Sequence, residues 1–242
     1  MINFVDEELK NCFDYARNMI DKHNINVIKD RENWEIFNDD FKVKVAELAF
    51  RKVLDENNIY SDNDISYECK RDAKWDIFNV KINDKLINIK FVDKDDKFLL
   101  LDMDNYESDG AYDYDDEPLN FYGYAIVRVI VEPNILPEVL KYKVYSEFKN
   151  NVMDYKQGKE VERTIEANFL GVIKQDDFWK NKGIAPNGIR VSNKNFEAVL
   201  EGKNKDEMPE VLYGCESKEE VLQKDIYVLP IDKYLKDVNI LK

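Results

Sequence analysis

The stretch Asp76-Ile77-Phe78-Asn79-Val80-Lys81-Ile82-Asn83-Asp84-Lys85-Leu86-Ile87-Asn88-Ile89-Lys90 decides how the chain is read. Phe78, Val80 and Ile82 alternate with Ile77, Asn79 and Lys81, which is strand periodicity. Asn83-Asp84-Lys85 is turn chemistry, and Leu86 to Val92 returns as a second strand. Residues two apart on a strand share a face, so Asn88 and Lys90 point the same way. An acid, an amide and a lysine are thereby set among isoleucines.

Outward from this hairpin, the hydrophobic content (44%) is enough for a core and the aromatic content (12%) argues against disorder. The 242 residues fit one elaborated domain. Asp6, Glu7 and Glu8 follow the start at once, and no apolar run reaches membrane-spanning length. Cys12, Cys69 and Cys215 are scattered, with no C-x-x-C. A soluble, cytoplasmic protein with structural thiols is expected. The net charge of −14 runs against nucleic-acid binding. It is unevenly placed, however: residues 91–120 hold nine Asp and two Glu against two Lys. A basic cleft elsewhere is compatible with that distribution.

In chain order, residues 3–22 read as a helix and 24–40 as irregular, anchored by Trp34, Ile36 and Phe37. Residues 41–56 form the clearest helix, with Val43, Ala46, Phe50, Val53 and Leu54 on one face. Glu47 lies at the edge of that face, where it either reaches water or has a buried partner such as a metal or a lysine. A short strand is expected over 65–70. Phe98–Leu101, apolar on both faces, reads as a central strand, and Tyr124–Val131 as another. Asp102-x-Asp104 opens like a calcium loop, but Tyr106 and Glu107 stand where a ligand and glycine are needed. A solvated acidic loop, or a partner-binding one, follows. Residues 135–157 read as a helical region with Pro137 in its first turn and Gly158 as its stop. Then come a strand over 162–173, a short helix from Asp176, a loop over 183–188, and a last strand over 226–229. A lone histidine, His23, makes a nucleophilic triad unattractive, and the lack of a Gly-rich phosphate loop argues against a P-loop NTPase or a Rossmann enzyme.

This order resembles the core of the PD-(D/E)XK nuclease superfamily, the restriction-endonuclease-like fold. Asp76 matches the family's first Asp, Asn88-Ile89-Lys90 its acid-x-Lys, and Glu47 in Ala46-Glu47-Leu48-Ala49-Phe50 its helix acid. Phe169–Ile173 and Val228–Ile231 look like the closing strands of small members. The resemblance covers residues 41–132. It implies an α/β (α+β) fold with a central mixed sheet flanked by helices and a C-terminal elaboration. Residues 1–40 would be a lead-in and 133–242 would complete one domain. It further implies a metal-dependent phosphodiesterase. Asp76, Glu47 and the Ile89 carbonyl would hold Mg²⁺ or Mn²⁺, and Lys90 would orient the attacking water. DNA is the implied substrate, and a homodimer is compatible. The departure is Asn88, which keeps an oxygen and loses the charge. Three explanations stand open: Glu47 supplies the missing acid, the chain binds without cutting, or an Asp was exchanged for Asn by engineering. A non-catalytic protein would bind a protein partner, or mimic DNA, through the acidic 93–117 segment. Asp76, Asn88 and Lys90 also fit the ordinary polar face of an amphipathic hairpin.

Overall fold

The computed structural model describes residues 1–23, 32–62, 64–67, 79–107, 110–114, 117–208, 222 and 224–242. Helix α1 (Asp6–His23) carries Asp6, Glu7 and Glu8 in its first turn, where the helix dipole favours acids. It buries Leu9, Cys12, Phe13, Ala16 and Ile20 at three- and four-residue spacing. Helix α2 (Asn33–Glu56) starts well before the expected residue 41. A capping box supplies the reason: Glu32 and Glu35 bind each other's backbone N–H, which satisfies donors the first turn leaves open. Residues 33–40, expected to be irregular, are therefore helical. The helix is buried on several sides, so Val45, Leu48 and even Lys44 join the face expected from periodicity, while Val43 is half-buried. Phe13, Phe37, Phe41 and Phe148 lock α1 to α2, with ring centroids 5.2–5.9 Å apart.

The helix pair covers one face of a four-stranded mixed sheet. Its strands are β1 (Asn79–Ile82), β2 (Lys85–Val92), β6 (Gly123–Glu132) and β9 (Thr164–Lys174), in the order β1-β2-β6-β9. Asn83 and Asp84 take positive φ of 48° and 62°, the two-residue turn that matches strand twist. β2 runs parallel to β6, and the other pairs are antiparallel. A second, antiparallel sheet lies on the opposite face, with β10 (Gly183–Ala185), β11 (Ile226–Pro230) and β3 (Phe98–Asp102) in that order. Two small hairpins, β4 (Tyr112–Tyr114) with β5 (Glu117–Leu119) and β7 (Val152–Asp154) with β8 (Lys159–Val161), lie outside both sheets. The remaining helices are α3 (Tyr145–Asn150), α4 (Gln175–Asn181), α5 (Asn193–Leu200) and α6 (Ile231–Tyr234). A mixed α/β architecture with a mixed central sheet is thus observed.

Four further expectations change. Phe98–Leu101 is not central: β3 is an outer strand of the second sheet. Its two apolar faces arise because Leu99 and Leu101 face the first sheet while Phe98 meets Phe196 of α5. The helix expected over 135–157 breaks into a 3-10 turn (Pro137–Lys141), α3 and β7, and Gly158 turns the β7–β8 hairpin at φ 64°. Gly183–Ala185, expected as a loop, pairs with β11. Residues 65–67 are not in a strand, and 68–70 lie outside the described residues.

The described residues of the acidic connection from β3 to β6 are tied down by specific contacts. Asp102 caps a 3-10 turn (Met103–Asn105), and Tyr106 and Tyr112 turn inward against Trp179 and Phe121. The Gln175 side chain donates to the Gly110 carbonyl at 2.7 Å. Gly110 itself has φ +93° and lies so close to Trp179 that a Cβ would sit 2.5 Å from the indole. Gly110→Ala should therefore lower stability by about 2 kcal/mol through backbone strain and overpacking. Denaturant unfolding followed by tryptophan fluorescence would read both the loss and the displaced Trp179.

Candidate functional site

β2 is buried on both sides, and alternation sends its residues to two different cores. Ile87 and Ile89 join α2 in the helix-side core, whereas Leu86 and Val92 join the core between the sheets. Asn88 and Lys90 therefore face the second sheet, paired along β6 with Tyr124 and Ile126 of the same inter-sheet core. Asn88 is 3% exposed. Lys90 is half-buried, and burial pushes its pKa down to about 8 against the opposing pull of the Asp102 carboxylate. Ile89 stands opposite Ala125 in the ladder, with its side chain on the helix side.

Asp102 was not singled out as a site residue in the sequence. It lies on a different sheet, and no spacing rule connects it to Lys90. Its signal was the Asp102-x-Asp104 start, which is a turn cap here: Asp102 Oδ1 accepts from the Asp104 N–H at 3.1 Å. Its other oxygen pairs with Lys224, which also reaches Asp104 at 3.4 Å.

Glu47 lies elsewhere. It is 7% exposed and takes a 2.9 Å ion pair from Lys44 one turn earlier, so its buried partner is a lysine. The Lys44 ammonium also lies 4.4 Å from the Tyr15 ring centroid. Cys12 belongs to this α1–α2 cluster. Burial pushes its thiol up to about 12, with the Tyr67 hydroxyl opposing and Glu47 adding to the rise, so it is an unreactive thiol. Asp102 is the carboxylate that acts on Lys90, and Glu47 sits with the helices on the sheet's other face. The structure thus brings Asn88 and Lys90 together and does not bring Glu47 to them. Asp76 lies outside the described residues.

Of the residues expected to hold Mg²⁺, Asp76 lies outside the described residues, which do not bring Glu47 to the Lys90 side. Beside Lys90 they offer one carboxylate, whose oxygens are engaged by Lys224 and by a backbone N–H, and a neutral amide. Two ammonium groups close to Asp102 oppose a divalent cation. Among the described residues no three His, Cys, Asp or Glu side chains cluster as metal ligands. In the acidic segment, Asp93, Asp95, Asp96, Asp104, Glu107 and Asp113 are exposed. Lys42 pairs with Asp93 at 2.5 Å. No helix among the described residues is long and apolar enough to cross a membrane.

No protein-family model, curated protein or solved structure matches this chain.

Two outcomes follow from these charges. Glu47→Ala removes the carboxylate paired with the buried Lys44 ammonium and should cost about 3 kcal/mol, most of it recovered in Lys44→Met/Glu47→Leu. Chemical denaturation of the three proteins measures this. Lys90 has a folded pKa below its ordinary 10.5, so the unfolded chain holds the extra proton between about pH 8 and 10.5. Stability should accordingly rise with pH through that window, relative to Lys90→Met, in which this contribution is gone. Urea midpoints across that range give the difference.

Proposed function

We propose that the chain is a nuclease-like scaffold that binds a basic protein partner through its acidic connection and does not cut. The observation that carries this reading is the disposition of carboxylates around Lys90. Glu47 is committed to Lys44 behind the sheet, Asp102 is held by Lys224, and Asn88 has no charge. Even with Asp76 in the family's position, one carboxylate would be left for a divalent ion, and affinity should be weak. The exposed Asp104, Glu107 and Asp113 lie in the same short segment as Tyr106 and Tyr112, whose rings pack inward with Trp179, and an ordered segment loses less entropy when a cationic surface docks.

A second reading, a Mg²⁺- or Mn²⁺-dependent DNA nuclease weakened by Asn88, is favoured by Lys90. A lysine whose pKa is lowered to about 8 on the same face as the motif amide suits an active-site role.

Calorimetric titration with Mn²⁺, alongside cleavage assays on single- and double-stranded DNA, separates the two. The scaffold reading expects no saturable Mn²⁺ binding and no cleavage by the wild-type chain. Cleavage by the wild type that is lost in Lys90→Met and Asp76→Ala would overturn it in favour of the nuclease. A gain of cleavage in Asn88→Asp alone would identify the site as a silenced one.

A further inference from the structure

The inter-sheet face carries a second cation. Arg128 lies on β6, two residues beyond Ile126 and opposite Val92, so it points toward the second sheet as Lys90 does. It lines a cleft of about 580 Å³ at the open end of the sandwich. Lys97, Phe98 and Pro230 come from the second sheet and its approach, Leu200 and Glu197 from α5, and Ile231 from α6. Arg128 Nη2 donates to the Asp96 carbonyl at 2.9 Å, which fixes the guanidinium. Its Nε is buried without a hydrogen-bond partner, and no carboxylate of the described residues forms an ion pair with it. The buried Nε holds the guanidinium plane in place, and no carboxylate of the described residues neutralises its charge. An anion entering the cleft would meet the terminal Nη groups, which guanidinium offers to a carboxylate as a fork.

We infer that this cleft is a binding site for a small monocarboxylate with an apolar body, the carboxylate on Arg128 and the body against Phe98, Leu170, Leu200 and Leu235. The rest of the lining sets that choice. Asp96, Glu197, Glu201 and Asp232 ring the cleft alongside Lys97 and Lys233, so a polyanion such as DNA or a nucleoside triphosphate is repelled. The apolar wall gives a body of leucine size its share of the binding. This site is separate from the Lys90–Asp102 pair, and its test does not depend on whether the chain cuts DNA.

The probes are N-acetyl-L-leucine and N-acetyl-L-leucinamide, which differ only in the charge of the carboxyl end. Titration followed by heteronuclear NMR of the full chain should show the acid binding at least about tenfold more tightly than the amide. Shifts should centre on Arg128, Phe98 and Leu200. Arg128→Gln should abolish that preference, and Arg128→Lys should restore part of it. If Arg128→Gln does not fold, Glu197→Gln decides: removing an exposed rim acid should tighten the acid about threefold and leave the amide unchanged. Equal affinity for acid and amide, no saturable binding of either probe, or tighter binding of inorganic phosphate than of the acid would overturn the inference.

Discussion

The parallel pairing of β2 with β6 is the constraint from which the rest of the architecture follows. Parallel neighbours cannot be joined by a tight turn, so the chain must leave the sheet and cross back. Here the connection, residues 93–122, holds no α-helix among its described residues. It lays β3 over the sheet, then a capped 3-10 turn and the β4–β5 hairpin, and so begins the second sheet. One connection therefore determines that Asn88 and Lys90 face a second sheet, and that Arg128 on the same side stands at that sheet's margin, on the cleft. Its described acids Asp104, Glu107 and Asp113 are exposed while its Tyr106 and Phe121 pack inward, which fits the uneven charge of the chain.

Buried cations are handled in this molecule by several different means. Lys44 has a carboxylate one turn away. Lys90 has only the more distant pull of Asp102 and pays for its position with a lowered pKa. Arg163, 3% exposed, donates to the Phe148 and Pro133 carbonyls and stacks on the Phe148 ring, and burial lowers it to about 10. Lys182 rests on the rings of Trp179 and Tyr227, at 4.3 and 4.8 Å from their centroids. Carbonyl oxygens and aromatic faces thus do part of the work that the Glu47 carboxylate does for Lys44.

Local pattern carried the elements whose environment is two-sided and simple. The alternation in Val80–Ile82 and Leu86–Val92, the spacing of Leu9, Phe13 and Ile20, and the apolar run at Tyr124–Val131 all matched what forms. Pattern failed where a tertiary partner decided the outcome. Phe98–Leu101 looked central because two different cores cover it, and the 137–154 region looked helical because its pairing partner, β8, lies beyond a glycine turn. At the site, the shared face of Asn88 and Lys90 was legible from their spacing of two. The neighbourhood of Asp102 was not, because β3 and β2 meet across the gap between sheets. Nor was the separation of Glu47, since a helix residue's facing depends on which side of the sheet the helix covers.

The closure of the second sheet bears on how the chain is made. β3 finds its partner β11 only near the C-terminus, with Leu99 opposite Leu229. During synthesis the inter-sheet side of β2 and β6, with Tyr124 and Ile126, is complete long before β11 leaves the ribosome. For that interval a row of apolar strand residues stands uncovered, the kind of segment that associates between nascent chains. The aspartates that flank β3 in sequence are of the residue type that opposes such association, since like charges at the margins of an apolar strand repel.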